Sequence, residues 1–231
     1  MPEWATFVGL SGVVTGLLLA LSRTSQSTLE EPDPDVELTS GLMLANVALS
    51  QGLFLCLLLV AAWYTQIPLE ALGIGTSTAR TTLSVGVGLG VVLYLASELG
   101  GATAERLGGE YDEGLRELLA PGSAGGWVVL LGVVLPVIAV FEEFLFRGVL
   151  IGVVWAGYGV SPWLLAVPSS VLFAAGHSAQ GITGVLVTGL LGLALAVAFV
   201  LTESLLAVVL AHYLVNALEF VIHEGLGVEW T

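Results

Sequence analysis

The sequence predicts an all-α, polytopic transmembrane helix bundle, and three observations carry that expectation. Of its 231 residues, 56% are hydrophobic and only 10% charged, with a mean hydropathy of +0.98, far to the apolar side of a soluble balance. The apolar residues gather into runs of about 20, the length a helix needs to cross a bilayer. Short polar connections separate the runs, as expected where each backbone N–H and C=O in lipid is satisfied within its own helix. The reading is a single domain over 1–231 with six to eight membrane segments, multi-pass in the cell membrane.

The first run, 4–21, follows Met1-Pro2-Glu3-Trp4 without a basic stretch, so it reads as a retained span rather than a cleaved signal. Glu30-Glu31-Pro32-Asp33-Pro34-Asp35 then reads as a solvated loop, because two prolines and four acids cannot continue a buried helix. The second run, 41–64, holds the only cysteine, Cys56, so no internal disulfide can form, and buried apolar packing is its default role. The third run, 81–100, carries Gly86 and Gly90, a spacing that lets helices approach closely in lipid; Gly148/Gly152 and Gly184/Thr188 repeat it later. Residues 104–124 mix acids, Arg106, Arg116 and glycines into a surface connection with a short helix that Pro121-Gly122 ends. Four further runs follow at 127–155, 162–177, 181–201 and 204–222. In the first of these, Pro136 removes a backbone donor and is expected to kink the helix or start it late.

Nineteen acidic residues stand against five arginines and no lysine, a formal net charge of −14. Such a chain repels nucleic acid and has no polybasic patch for anionic lipid, while the bilayer itself is a partner. The balance points to a host with high cytoplasmic salt, which screens the repulsion among carboxylates. Placing Arg23, Arg106 and Arg116 on the cytoplasmic side leaves Arg80 outside and the N-terminus external.

Chemistry concentrates in Glu142-Glu143-Phe144-Leu145-Phe146-Arg147, three charges in an otherwise apolar run. Each costs roughly 2.5 to 3.5 kcal/mol to insert, which marks a functional site. Glu143 and Arg147 are four apart and suit an ion pair; Glu142 points elsewhere and is free to face a cavity as a base. Phe173/His177 and His212/Asn216 repeat the four-residue spacing on later segments. Together these residues supply a base, a proton carrier and hydrogen-bond donors for hydrolysis. Glu219 and His223 continue the face of His212 and Asn216, either as a partner for a motif histidine or as groups emerging into headgroup water.

The motifs EExxxR (Glu142, Glu143, Arg147), FxxxH (Phe173, His177) and HxxxN (His212, Asn216), in that order over about 75 residues, resemble the type II CAAX prenyl endopeptidase and bacteriocin-processing family of membrane proteases. The resemblance spans roughly 126 to 222. It implies an intramembrane endopeptidase without a metal cofactor, in which Glu142 and His177 activate a water and His212 with Asn216 holds the oxyanion. Glu143, Arg147 and Phe173 would support the site. The implied substrate is a peptide or membrane protein, prenylated in the eukaryotic relatives.

Three rivals compete. Glu142, His177 and His212 offer ligands that zinc accepts, although HExxH is absent. Gly9-Leu10-Ser11-Gly12 matches the GxSG of rhomboid-type serine proteases but lies in the first span, where small-residue packing is the stronger reading. A transport or scaffold protein could use the same charged residues to relay protons or dock a partner span.

Overall fold

The computed structural model describes residues 1–30, 39–106 and 114–228. The expected acidic loop lies, apart from Glu30, outside the described residues, as does the middle of the 104–124 connection.

Among the described residues the chain is helical without a strand: α1 (Trp4–Glu30), α2 (Ser40–Tyr64), α3 (Ala79–Arg106), α4 (Gly114–Leu119), α5 (Ala124–Tyr158), α6 (Pro162–Ala175), α7 (Gly181–Thr202) and α8 (Leu205–Gly225). Six of them, all but α4 and α6, are long and apolar enough to cross a membrane. The run expected at 162–177 is different, because α6 has only 14 residues. At 1.5 Å per residue that is about 21 Å, short of the ~30 Å hydrocarbon core. α6 instead packs against α5 and α7, and Ser169 Oγ donates to the carbonyl of Phe146 at 2.6 Å.

The glycines of α3 do what their spacing predicts. A Cβ on Gly86 would come within 2.9 Å of Leu210 Cβ, and one on Gly90 within 2.8 Å of Leu214 Cβ, so only hydrogen at both positions lets α3 lie this close to α8. That contact braces the helix bearing His212 and Asn216. Thr188 and Gly184 are buried on α7, as a similar seam requires, and the Thr188 hydroxyl also donates to Gln180 Oε1 at 2.6 Å.

α5 carries the charged run and differs from expectation at Pro136. The helix begins at Ala124 and passes through the proline without a break. A wide π turn over Leu130–Val134 directly precedes it, opening the hydrogen-bond ladder where the ring would clash. A second wide stretch, Phe144–Val153, begins immediately after Glu143. Local π geometry re-aims side chains relative to a regular helix, and it falls here at the charged residues.

Around the site, Phe141, Phe144, Phe146, Phe173, Val208 and Ala211 form part of one buried core. Leucines and valines on the outer faces of α2, α3 and α7 are exposed, as they are in helices that meet lipid. Cys56 is among the exposed residues of α2, which corrects the expectation of buried packing. The helix is apolar all round, so its sequence does not separate the face toward lipid from the face toward protein.

Candidate active site

Glu142 and Glu143 sit side by side on α5, both buried, but meet different partners. Glu143 Oε1 accepts from Arg147 Nη1 at 2.8 Å, the expected pair, and both side chains have no solvent exposure. Arg147 Nη2 donates to the carbonyl of Gly192 on α7 at 2.8 Å, and its guanidinium lies 4.6 Å from the centre of the Phe173 ring. A desolvated charge is tolerable in this setting because hydrogen bonds and a π face surround it. Gly192 is required here: a Cβ would stand 2.8 Å from the Phe173 ring and 3.4 Å from Arg147 Nη2.

Glu143 also reaches α8. His212 Nδ1 lies 2.7 Å from the same Oε1, and since a carboxylate only accepts, Nδ1 carries the proton. Nε2 of His212 is thereby directed at Glu142, 3.7 Å from Oε2. His177, just past the end of α6, is held the same way. Its Nδ1 donates to the carbonyl of Phe173 at 2.8 Å, leaving the lone pair of Nε2 to face Glu142 Oε2 at 3.9 Å. The four-residue Phe173/His177 spacing thus acts through the Phe173 backbone, while the two rings lie 4.6 Å apart.

Glu142 Oε2 therefore faces two imidazole nitrogens at distances too long for direct hydrogen bonds and suited to one bridging oxygen atom. Oε2 itself is buried with no hydrogen-bond partner. These groups line a cavity of about 290 Å³. Asn216, one turn beyond His212 on α8, lines it too. All four residues expected to carry catalysis are thus gathered around one space, with Phe173 lining it beside them and Glu143 and Arg147 directly behind.

Of the polar cavity residues, Gln51 and Gln180 were not singled out from sequence, and Thr188 was read only as a packing position. Gln51 of α2 donates from Nε2 to Glu142 Oε1 at 3.4 Å. Gln180 and Thr188 form the hydrogen-bonded pair noted above at the α7 side. Arg116 and Glu219 line another part of the wall. Glu219 bonds no motif histidine among the described residues, and its side chain is partly exposed. It pairs with Arg116 of α4 at 3.5 Å, while Arg116 Nε donates to Glu224 at 2.9 Å and His223 bonds Glu98 of α3 at 2.8 Å. This second polar group ties α4 and α3 to the end of α8.

Two rivals are also placed. Ser11 is fully buried in α1 and its Oγ donates to the carbonyl of Phe7 at 2.8 Å, so its hydroxyl is spent on its own helix. Among the described residues no three His, Cys, Asp or Glu side chains are grouped as metal ligands would be.

Residues 124–218 match the family model described as Type II CAAX prenyl endopeptidase Rce1-like. No curated protein and no solved structure matches the chain. The matched stretch runs from the start of α5 well into α8 and contains every motif residue. The resemblance read from EExxxR, FxxxH and HxxxN is therefore shown, and it implies a peptidase, a hydrolase that takes a peptide substrate in a membrane. Gln51 and Arg116 lie outside the matched stretch.

Proposed function

We propose that this protein is a glutamate-dependent intramembrane endopeptidase in which Glu142 is the general base. The observation that carries the reading is the facing of Glu142 Oε2 and the Nε2 atoms of His177 and His212 across 3.9 and 3.7 Å inside one cavity. A water there would give one proton to Glu142 Oε2 and a hydrogen bond to the lone pair of His177 Nε2 as its oxygen attacks the scissile carbonyl. The proton taken by Glu142 then passes to the leaving amine as the C–N bond breaks, which returns the base.

Asn216 and His212 serve the developing oxyanion. Nδ1 of His212 already carries a proton toward Glu143, so donation from Nε2 requires the imidazolium form, whose charge the Glu143 carboxylate supports at 2.7 Å. Glu143 would thereby link two duties, balancing Arg147 and holding His212 in register. Phe173 fixes His177 through its carbonyl and covers Arg147 with its ring.

The cavity wall includes Val47, Leu130, Val134, Leu135, Ile138 and Leu191, an apolar lining suited to a lipid-modified or strongly apolar peptide segment. A prenylated C-terminal peptide fits both that lining and the family resemblance. Purified protein should be incubated with lipidated and unlipidated peptide libraries and the products read by mass spectrometry. Discrete cleavage, faster for the lipidated members, is expected. Proton or solute flux in vesicles without cleavage would favour the transport reading.

A further inference from the structure

We propose that Gln51 on α2 is both a positioning residue for Glu142 and a contact for the substrate backbone: its amide nitrogen holds Oε1 of Glu142, and its carbonyl oxygen accepts a backbone N–H of the bound peptide. The positioning half rests on geometry alone, whereas the substrate half also rests on the endopeptidase reading. Gln51 lies near the middle of a helix that runs Gly52-Leu53-Phe54-Leu55-Cys56-Leu57-Leu58-Leu59-Val60 directly after it. A primary amide at that depth costs solvation that only partners offset, and a leucine would suit the helix better.

One partner is Glu142, 3.4 Å from Nε2. A carboxylate only accepts, so the amide must turn its NH₂ group toward Glu142, which determines where its oxygen goes. That oxygen, Oε1, is buried and has no hydrogen-bond partner among the described residues, an arrangement that calls for an explanation in any folded protein. Gln51 lines the same cavity as His177, His212 and Asn216. A peptide extended through the cavity presents backbone N–H groups beside its scissile carbonyl, and the histidines and Asn216 engage the water and the oxyanion rather than those donors. Gln51 Oε1 is a free acceptor on that wall. Holding Oε1 of Glu142 from one side also leaves Oε2 as the atom that faces both imidazoles. The catalytic space is on this account completed by an N-terminal span, outside the stretch that matches the family model.

The test has an arm that needs no activity. Dicyclohexylcarbodiimide, an apolar reagent that adds to carboxyl oxygens within membranes, is applied to the full chain, and labelling of each glutamate is read by peptide mass mapping. Gln51→Leu and the unbranched Gln51→Met should raise labelling of Glu142 several-fold, because Oε1 has lost its amide donor. Labelling of Glu143, shielded by Arg147 and His212, should stay unchanged and serves as the internal standard. An equal rise at both glutamates would mean that the substitution merely loosens the bundle, and unchanged labelling at Glu142 would overturn the contact.

The second arm uses a farnesylated CaaX peptide and versions N-methylated at one backbone position at a time. For the wild type, one position should lose about tenfold or more in kcat/KM, while Gln51→Leu should show little further loss at that position, since the two changes remove one shared hydrogen bond. The same N-methyl penalty in both proteins would overturn the acceptor role. If the wild type cleaves neither such a peptide nor any member of the lipidated and unlipidated libraries, the endopeptidase reading fails and the substrate half falls with it. The labelling arm then decides the Glu142 half alone.

Discussion

Glu143→Gln is expected to damage the protein in two separable ways, and its contrast with Glu142→Gln tests the division of labour between adjacent carboxylates. Glu143 and Arg147 have no solvent exposure and are joined at 2.8 Å. Removing one member of such a pair leaves a buried charge uncompensated, at a cost of about 3–5 kcal/mol. Glutamine retains an acceptor oxygen, which places the expected cost near the lower end. With about 2–4 °C of melting temperature per kcal/mol in a chain of this size, the shift should be on the order of 6–12 °C downward. Glu142 has no equivalent tie: Gln51 is 3.4 Å away and the histidine nitrogens are 3.7 and 3.9 Å away. Its near-isosteric replacement should change stability by about 1 kcal/mol or less, yet abolish hydrolysis. The assay is thermal unfolding in detergent beside peptide hydrolysis for both variants. Equal loss of melting temperature in the two, or none in Glu143→Gln, would refute the reasoning.

Asn216→Ala should lower kcat on the order of 10²- to 10³-fold with little change in KM, because an oxyanion donor acts in the transition state. His212→Ala should be at least as damaging, and the double variant should cost less than the sum, whereas a raised KM with kcat spared would make the pair a binding or bracing element. Hydrolysis should survive strong chelators; loss followed by recovery on adding zinc, with stoichiometric metal by elemental analysis, would establish the zinc rival. Melting temperature should be higher in molar salt than at low ionic strength, because −14 charges repel one another unscreened. A flat response would remove the inference of a salt-rich host.

The candidate site was legible in the sequence wherever a polar side chain interrupted an apolar run at helical spacing. Glu143/Arg147 needed only four-residue spacing to be paired, and that pair is present at 2.8 Å. Gly86 and Gly90 likewise identified a close helix approach, although not that α8 is the partner. What stayed hidden depends on contacts between distant segments. Gln51 stands alone in an apolar helix with no companion in its own span, and nothing in a single sequence pairs it with Glu142, 91 positions on. Glu219 shares a face with His212 and Asn216, yet its partner is Arg116 on a different element. Cys56 shows the corresponding limit for apolar residues, since hydrophobicity has the same value toward lipid and toward core. Pro136 shows that a local rule can be met by a local adjustment, here a wide turn instead of a break.

The central claim is that Glu142 takes the proton of the attacking water, and the most direct measurement follows cleavage of a farnesylated CaaX peptide by wild type and Glu142→Gln at matched folded concentrations, with products quantified by mass spectrometry. The account predicts steady release of the C-terminal fragment by the wild type, undiminished by chelator, and no release above background by the variant. Cleavage by Glu142→Gln at a rate near that of the wild type would contradict it.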